Sequence, residues 1–307
     1  MQDGMRSQSA VRLENKNMMK FTLASRHMDE GTRERFFYEW SMIHVALMLT
    51  TPTVPRVFRR YAQHFNIAAA AGDQLIYPLS PENWESFAEH WVENYEAFLE
   101  SVSAQDYVLR MQPHRFGSHR FITALSSFST VYEAPGFCSG GVKLIHFLKK
   151  EAAVSQDAFT AWMRTDRAAT LQNTLGSKGF VRKIVHDTPA PIDPAVFKGT
   201  LFEMGSIGLY AGMEEIWLED VNALGMLSRD RDVRAALAAG EKGMVNAPES
   251  ISMLVCERLL WDFVTPGEQT PQPAILNPES LEALIDRQGY RDFDKPEKWA
   301  RQKTQAG

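Results

Sequence analysis

The residues of this chain best suited to chemistry occur in sets that recur at nearly constant distance. Glu89-x-Trp91 returns as Glu215-x-Trp217 (217 − 91 = 126), and Phe37-x-x-Trp40-x-x-x-His44 is answered by Phe159-x-x-Trp162-x-x-x-Asp166 (162 − 40 = 122). On a buried strand face, a carboxylate beside an indole has its charged form desolvated. Its pKa then rises, which suits it to general acid or base work. Glu89 and Glu215 are therefore candidate acid/base groups, whereas Glu93 and Glu219 read as solvated strand ends. His44 stands in an otherwise apolar helical stripe and can transfer protons near neutral pH, although such a ring serves equally well as a hydrogen-bonded core residue. Asp166 stands at the matching place in the second stripe. A carboxylate is expensive to bury alone, so it marks a cavity edge, a polar network or a pair with a neighbouring Arg. Arg60-x-x-x-His64 and Arg182-x-x-x-His186 repeat as well. Arg60 and Arg182 could hold an anionic or phenolic substrate, and a surface ion pair explains them as readily. Trp40, Trp91, Trp162 and Trp217 would supply apolar walls.

These groups need a scaffold, and the hydrophobic period indicates one. Residues 20–25 alternate as a strand, and residues 36–47 carry apolar side chains at helical spacing behind Gly31-Thr32. Strands are expected over 57–65, 86–93 and 120–132, with a helix from Asn94 to Val102 or beyond. The order β-α-β-β-α-β is the split βαβ, or ferredoxin-like, pattern. Ala134 to Gly141 is dense in turn residues, and the pattern then restarts. Strands are expected over 142–148, 179–188, up to Leu218 and 250–261, with helices from Ser155 to Leu171 and from Val221 to Ala239. The expected organisation is a flexible leader (1–18), a first repeat (19–134), a linker (135–141), a second repeat (142–264) and a C-terminal tail (265–307). Within the tail, Ser280 to Ile285 could form a docking helix. The two helices of one such sheet cover one face only. Two fused ferredoxin-like repeats, an α+β fold, would bury the other face by packing their antiparallel sheets into an α/β barrel with helices outside.

Composition narrows the functional classes. The 307 residues are 44% apolar and 23% charged, with 33 basic against 38 acidic side chains and a net charge of −5. That balance offers no electrostatic footprint for nucleic acid and no polybasic membrane anchor. No apolar run is long enough to span a bilayer, and residues 1–19 lack the core of a signal peptide, so the cytoplasm is the default compartment. Cys138 and Cys256 have no CxxC spacing. GxGxxG after a strand, GxxxxGK[ST], HExxH and GxSxG do not occur, so neither a metal nor another cofactor is expected.

Together, Phe37-x-x-Trp40-x-x-x-His44, Arg59-Arg60-Tyr61-x-Gln63 and Glu89-x-Trp91 resemble the motifs of EthD-domain proteins, a branch of the dimeric α/β-barrel superfamily. The resemblance spans roughly 20–133 and 142–261. In the second copy Asp166 replaces the histidine and Lys183 stands where the tyrosine would be, which favours the first copy as the active half. The resemblance implies a hydrophobic cleft acting on a flat, activated ring. The expected function is a cofactor-independent lyase or isomerase (dehydratase, decarboxylase or cyclase type) on an aromatic or polyketide-like compound. In that scheme His44 transfers the proton, Glu89 is its partner or a second acid/base, and Arg60 or Tyr61 orients the substrate. The alternatives are a cofactor-free monooxygenase and a non-catalytic binding protein for a hydrophobic metabolite. A homodimer is left open, and a haem-binding variant would announce itself by a Soret band.

Overall fold

The computed structural model describes residues 18–67, 75–111, 114, 116–118, 122–200, 202–203 and 206–264. The expected leader up to residue 17 and the tail with its Ser280–Ile285 helix lie outside them. The first half contains β1 (Met19–Ser25), α1 (Arg33–Tyr38), a π-helical stretch (Glu39–His44), α2 (Val45–Thr50) and α3 (Thr53–Val57). It continues with β2 (Arg60–Asn66), β3 (Ser86–Val92), α4 (Tyr95–Ser103), α5 (Gln105–Arg110) and β4 (Ile122–Glu133). The second half has β5 (Gly141–Leu148), α6 (Gln156–Trp162), a π-helical stretch (Met163–Arg167), α7 (Ala168–Thr174) and β6 (Val181–Pro189). Then come the short β7 (Ser206–Ile207), β8 (Gly212–Leu218), α8 (Asn222–Arg229), α9 (Arg231–Glu241) and β9 (Ile251–Asp262).

Eight strands close a barrel in the order β1-β3-β2-β9-β5-β8-β6-β4, with β4 returning to β1, and every pairing among them is antiparallel. β7 adds to β4 in parallel. Each half keeps the ferredoxin-like order, and the seams are β2–β9 and β4–β6. Strand alternation decides what each face carries. On β3, Ala88, His90 and Val92 face the helices while Phe87, Glu89 and Trp91 face the barrel interior. On β8 the corresponding sets are Glu214, Ile216, Leu218 and Met213, Glu215, Trp217. Eight strands leave an interior just wide enough for side chains to fill. One end is apolar, with Trp84, Phe87, Ile145, Phe147 and Met253 packed together.

Two local departures from expectation have identifiable causes. Residues 57–59 do not join the second strand. Thr53 starts α3 instead, because its N–H and hydroxyl both donate to Asp106 at 2.8 and 2.7 Å. The expected helix from Val221 to Ala239 is two helices. The Asp230 carboxylate accepts from the N–H groups of Asp232 and Val233 and so caps α9 afresh.

Candidate functional site

The ladder registers define which residues of the two halves are counterparts. Lys20 and Arg60 both lie opposite Trp91, while Lys143 and Lys183 both lie opposite Trp217. Both pairs give the same spacing (143 − 20 = 123; 183 − 60 = 123). The helix N-caps Thr32 and Ser155 differ by 123 as well, each accepting from a backbone N–H three residues on. The spacing of 122 read from Trp40 and Trp162 is thus one residue short. On β6 a bulge between Val181 and Lys183 adds to the slip. Three expectations are corrected accordingly. Asp166 is not the counterpart of His44; it is exposed, and the buried Arg167 (167 − 44 = 123) holds that position. His186 corresponds to Gln63, and His64 corresponds to Asp187. Lys183, expected to replace the tyrosine, is the counterpart of Arg60, and Ile184 that of Tyr61. Arg182 sits in the bulge.

Glu89 and Glu215 meet inside the barrel, but with lysines. Lys143 Nζ lies 2.6 Å from Glu89 Oε2, 2.6 Å from Glu215 Oε2 and 2.8 Å from Glu257 Oε2. Lys20 Nζ contacts Glu215, and lies 3.0 Å from both Glu89 Oε1 and Asp187 Oδ1. His64 Nε2 completes the ring at 3.1 Å from Glu89 and 3.0 Å from Glu257. All seven side chains are buried. His64, Glu89 and Glu257 lie close enough together to ligate a metal ion. The Lys143 ammonium already satisfies both of those carboxylates, so this donor set serves a lysine.

The pKa expectation for Glu89 is corrected too. Burial alone would raise Glu89, but Lys143, Lys20 and His64 outweigh it and hold the carboxyl well below its ordinary range. Asp187 behaves oppositely. Burial raises it, Lys20 opposes, and its hydrogen bond to the Glu215 carboxyl adds to the rise. Such a bond between two carboxyls requires a proton. The charge balance agrees, since Lys20, Lys143 and a protonated His64 match three of the four carboxylates. An acid raised in the folded state costs stability that grows as pH climbs from the unfolded value through the folded one. Asp187→Asn should therefore stabilise the protein increasingly as pH rises. Urea midpoints for both proteins from pH 4 to 8 would check this; a difference that stays flat or narrows would refute it.

His44 lies on the other side of the sheet from Glu89, among the helices. The expected His44–Glu89 partnership therefore does not form. His44 stacks on His114 (centroids 5.8 Å, planes 18° apart) and touches Phe116 at 5.2 Å. Nearby, His90 stacks on Tyr61 at 4.4 Å and 9°. Trp40, Tyr61, Phe58, Phe98 and Tyr107 belong to the same apolar cluster. The His44 residue is partly exposed, yet its Nδ1 is buried and has no hydrogen-bond partner among the described residues. Burial, with His90 adding, lowers its pKa to about 3. His90 falls to about 4, again through burial. Both imidazoles are uncharged at neutral pH. Burial likewise raises the Tyr61 phenol, which accepts a hydrogen bond from Gln63 Nε2 at 2.9 Å.

The equivalent face of the second half is filled by ions. Arg167 is clamped on Glu214 at 2.5 and 2.9 Å and reaches Glu241 at 2.8 Å. His146 and His186 also lie against Glu214. The remaining expected residues separate. Arg60 and Trp91 form a cation–π pair (4.7 Å), and Arg60 also meets Asp262. Trp217 lies under Lys143 at 3.9 Å, and Trp162 packs on Phe159. The barrel's apolar end holds a pocket of about 30 Å³ beside Thr22, Phe87 and Met213, room for water but not for an aromatic ring. Lys20, Lys143, Asp187, Glu257 and Arg167 were not singled out from the sequence. The spacing 143 − 20 = 123 was the available signal for the two lysines.

No protein-family model matches the sequence, and no curated protein sequence matches it. Among solved structures, an anthrone oxidase-like protein is similar with a TM-score of 0.52 at 10% identity, covering 82% of this chain and 97% of that one. A provisionally named monooxygenase from Lactobacillus acidophilus has a TM-score of 0.44 at 8% identity, over 79% and 95% of the two chains. A chlorite dismutase from Candidatus Nitrospira defluvii has 0.42 at 12%, over 80% and 92%. The first likeness shows the fold: this chain has the architecture of the dimeric α/β-barrel proteins, with both sheets supplied by one polypeptide. The expected lyase or isomerase chemistry is corrected here. The anthrone oxidase-like protein that shares this fold carries an oxidase-like name, not a lyase or isomerase one.

Proposed function

We propose that the chain is a monooxygenase of a flat phenol or anthrone-like carbon acid, working at the helix-side cluster of the first half. The substrate itself would reduce dioxygen. The observation carrying this reading is the uncharged His44, whose buried Nδ1 has no hydrogen-bond partner among the described residues and lies within an aromatic cluster. Burial disfavours a lone imidazolium, but a substrate anion formed beside it offsets that cost. His44 can thus take the proton as the carbanion forms at the substrate's activated methylene. Electron transfer to oxygen and recombination give a peroxide anion on that carbon, which His44 reprotonates. Loss of water from the resulting secondary hydroperoxide leaves a carbonyl. One methylene and one dioxygen therefore give one carbonyl and one water, and no outside reductant is needed. Tyr61 and His90 would orient the ring, and Trp40 would wall it.

The order of EthD-like motifs supports the same half. We take residues 19–134 and 142–264 as tandem copies joined by 135–141, with the second copy, including Glu215, serving as scaffold. Among the described residues no helix is long and apolar enough to cross a membrane, which accords with action in the cytoplasm on a small aromatic molecule.

Oxygen uptake with an anthrone or a hydroxynaphthalene tests the proposal. One dioxygen should be consumed per substrate, with a quinone or ketone appearing and no flavin, haem or metal added. Uptake only after a cofactor is supplied, or a Soret band in the purified protein, would defeat the carbanion route. A substrate that raises the melting temperature yet returns unconverted after long incubation would make the chain a binding protein.

A further inference from the structure

Both halves interrupt their first helix with a π-helical stretch, and both hold that stretch in the same way. A π turn widens the helix and leaves a carbonyl without its ordinary i+4 donor. In the first half Gln63 Nε2, from β2, reaches the Trp40 carbonyl at 2.8 Å. In the second, His186 Nδ1, from β6, lies 3.0 Å from the Met163 carbonyl. These donors are counterparts (186 − 63 = 123), and so are the acceptors (163 − 40 = 123). Both side chains are buried, Gln63 at 0% and His186 at 1% exposure. Four residues beyond each clamped carbonyl stands the ionisable residue of that face, His44 in one half and Arg167 in the other. Two different residue types therefore do one job at equivalent places, which is hard to attribute to incidental packing.

We infer that Gln63 is a positioning residue of the candidate site, clamping the Trp40 carbonyl so that the widened turn aims His44 into the aromatic cluster. The same amide donates to the Tyr61 hydroxyl at 2.9 Å, so one side chain fixes both the helix turn and the phenol stacked on His90. Gln63 touches no reacting atom and acts through its neighbours. Its effect on turnover rests on the function proposed above; its effect on His44 geometry does not.

Histidine NMR on the full chain, with His44 assigned through His44→Asn, separates the two. Gln63→Leu removes the donor at similar volume. Gln63→His installs the group that the second half uses. Loss of the clamp should shift the His44 ring resonances and move its protonation from about 3 upward, toward the ordinary value of 6.5. Gln63→His should restore the wild-type position at least in part. If Gln63→Leu is too unstable to record, Gln63→Asn, one methylene too short, should give the same shift. Unchanged His44 resonances and titration in a folded Gln63→Leu or Gln63→Asn protein would overturn the inference, as would a Gln63→His protein indistinguishable from Gln63→Leu. If the wild type consumes oxygen, the clamp-less variants should lose at least tenfold in kcat with KM little changed. The absence of oxygen uptake in the wild type would sink the function while leaving the NMR comparison decisive for Gln63.

Discussion

Lys143→Met should be the most destabilising single substitution in the barrel, costing about 3–5 kcal/mol and lowering soluble yield, as expected when one partner of a buried ion pair is removed. Its ammonium is shared by Glu89, Glu215 and Glu257, all inside the barrel. A methionine of similar length fills the space but, among the described residues, leaves those three carboxylates only Lys20 and His64 as cations. The sign of the pH dependence should change with it. In the wild type Glu89 and Glu257 are held below their ordinary range, although burial pushes the other way. Their contribution is therefore present above the unfolded-state value and is lost as pH falls through the folded one. Without Lys143, burial dominates, and protonating a carboxylate becomes favourable to the fold. Guanidinium unfolding at pH 5 and pH 8 measures this. The variant should gain stability on acidification relative to the wild type; equal pH slopes would mean that the lysine is not what holds these groups ionised.

His44→Ala should lower oxygen-dependent turnover by roughly 10²–10⁴-fold, the range for loss of a positioned proton-transfer group. The fold should survive, because His44 is partly exposed and its Nδ1 makes no hydrogen bond among the described residues. Its melting temperature should stay within a few degrees of wild type. Arg167→Ala, the counterpart change, should behave in reverse. It strands the buried Glu214 and destabilises the protein, while the chemistry of surviving folded molecules is retained. Steady-state oxygen uptake alongside thermal melts distinguishes the two halves. A His44→Ala protein as active as wild type would remove the imidazole from the reaction.

The barrel was legible from the chain because two kinds of periodicity agreed. Alternation marked the strands, and repetition of Glu-x-Trp fixed β3 against β8 with an interior carboxylate on each. The partners of those carboxylates were not legible. Lys20 stands at the start of a strand whose alternation reads as half-buried and Lys143 near the start of another, and nothing local says that their ammonium groups turn inward. A single-residue slip then misassigned the helix counterparts. Trp162 resembles Trp40 by type, yet by register it stands where Glu39 does. The error exchanged the exposed Asp166 for the buried Arg167. The bulge at Val181–Lys183 and the two π stretches have no local signature, since a strand neighbour sets each of them. His44 was found by its place in an apolar stripe, but its companions His90 and His114 come from other elements, and only folding brings them to it.

The pairing of β2 with β9 and of β4 with β6 has a consequence for biosynthesis. When the ribosome has released only the first half, two strand borders and the whole barrel-facing side of its sheet, with Lys20, His64 and Glu89, are bare. The nascent chain must remain in that adhesive state until more than a hundred further residues emerge. During that interval a neighbouring polysome's product offers the same complementary borders. Exchange of halves between molecules is therefore the characteristic assembly hazard of this architecture, and slow translation of the second half would worsen it.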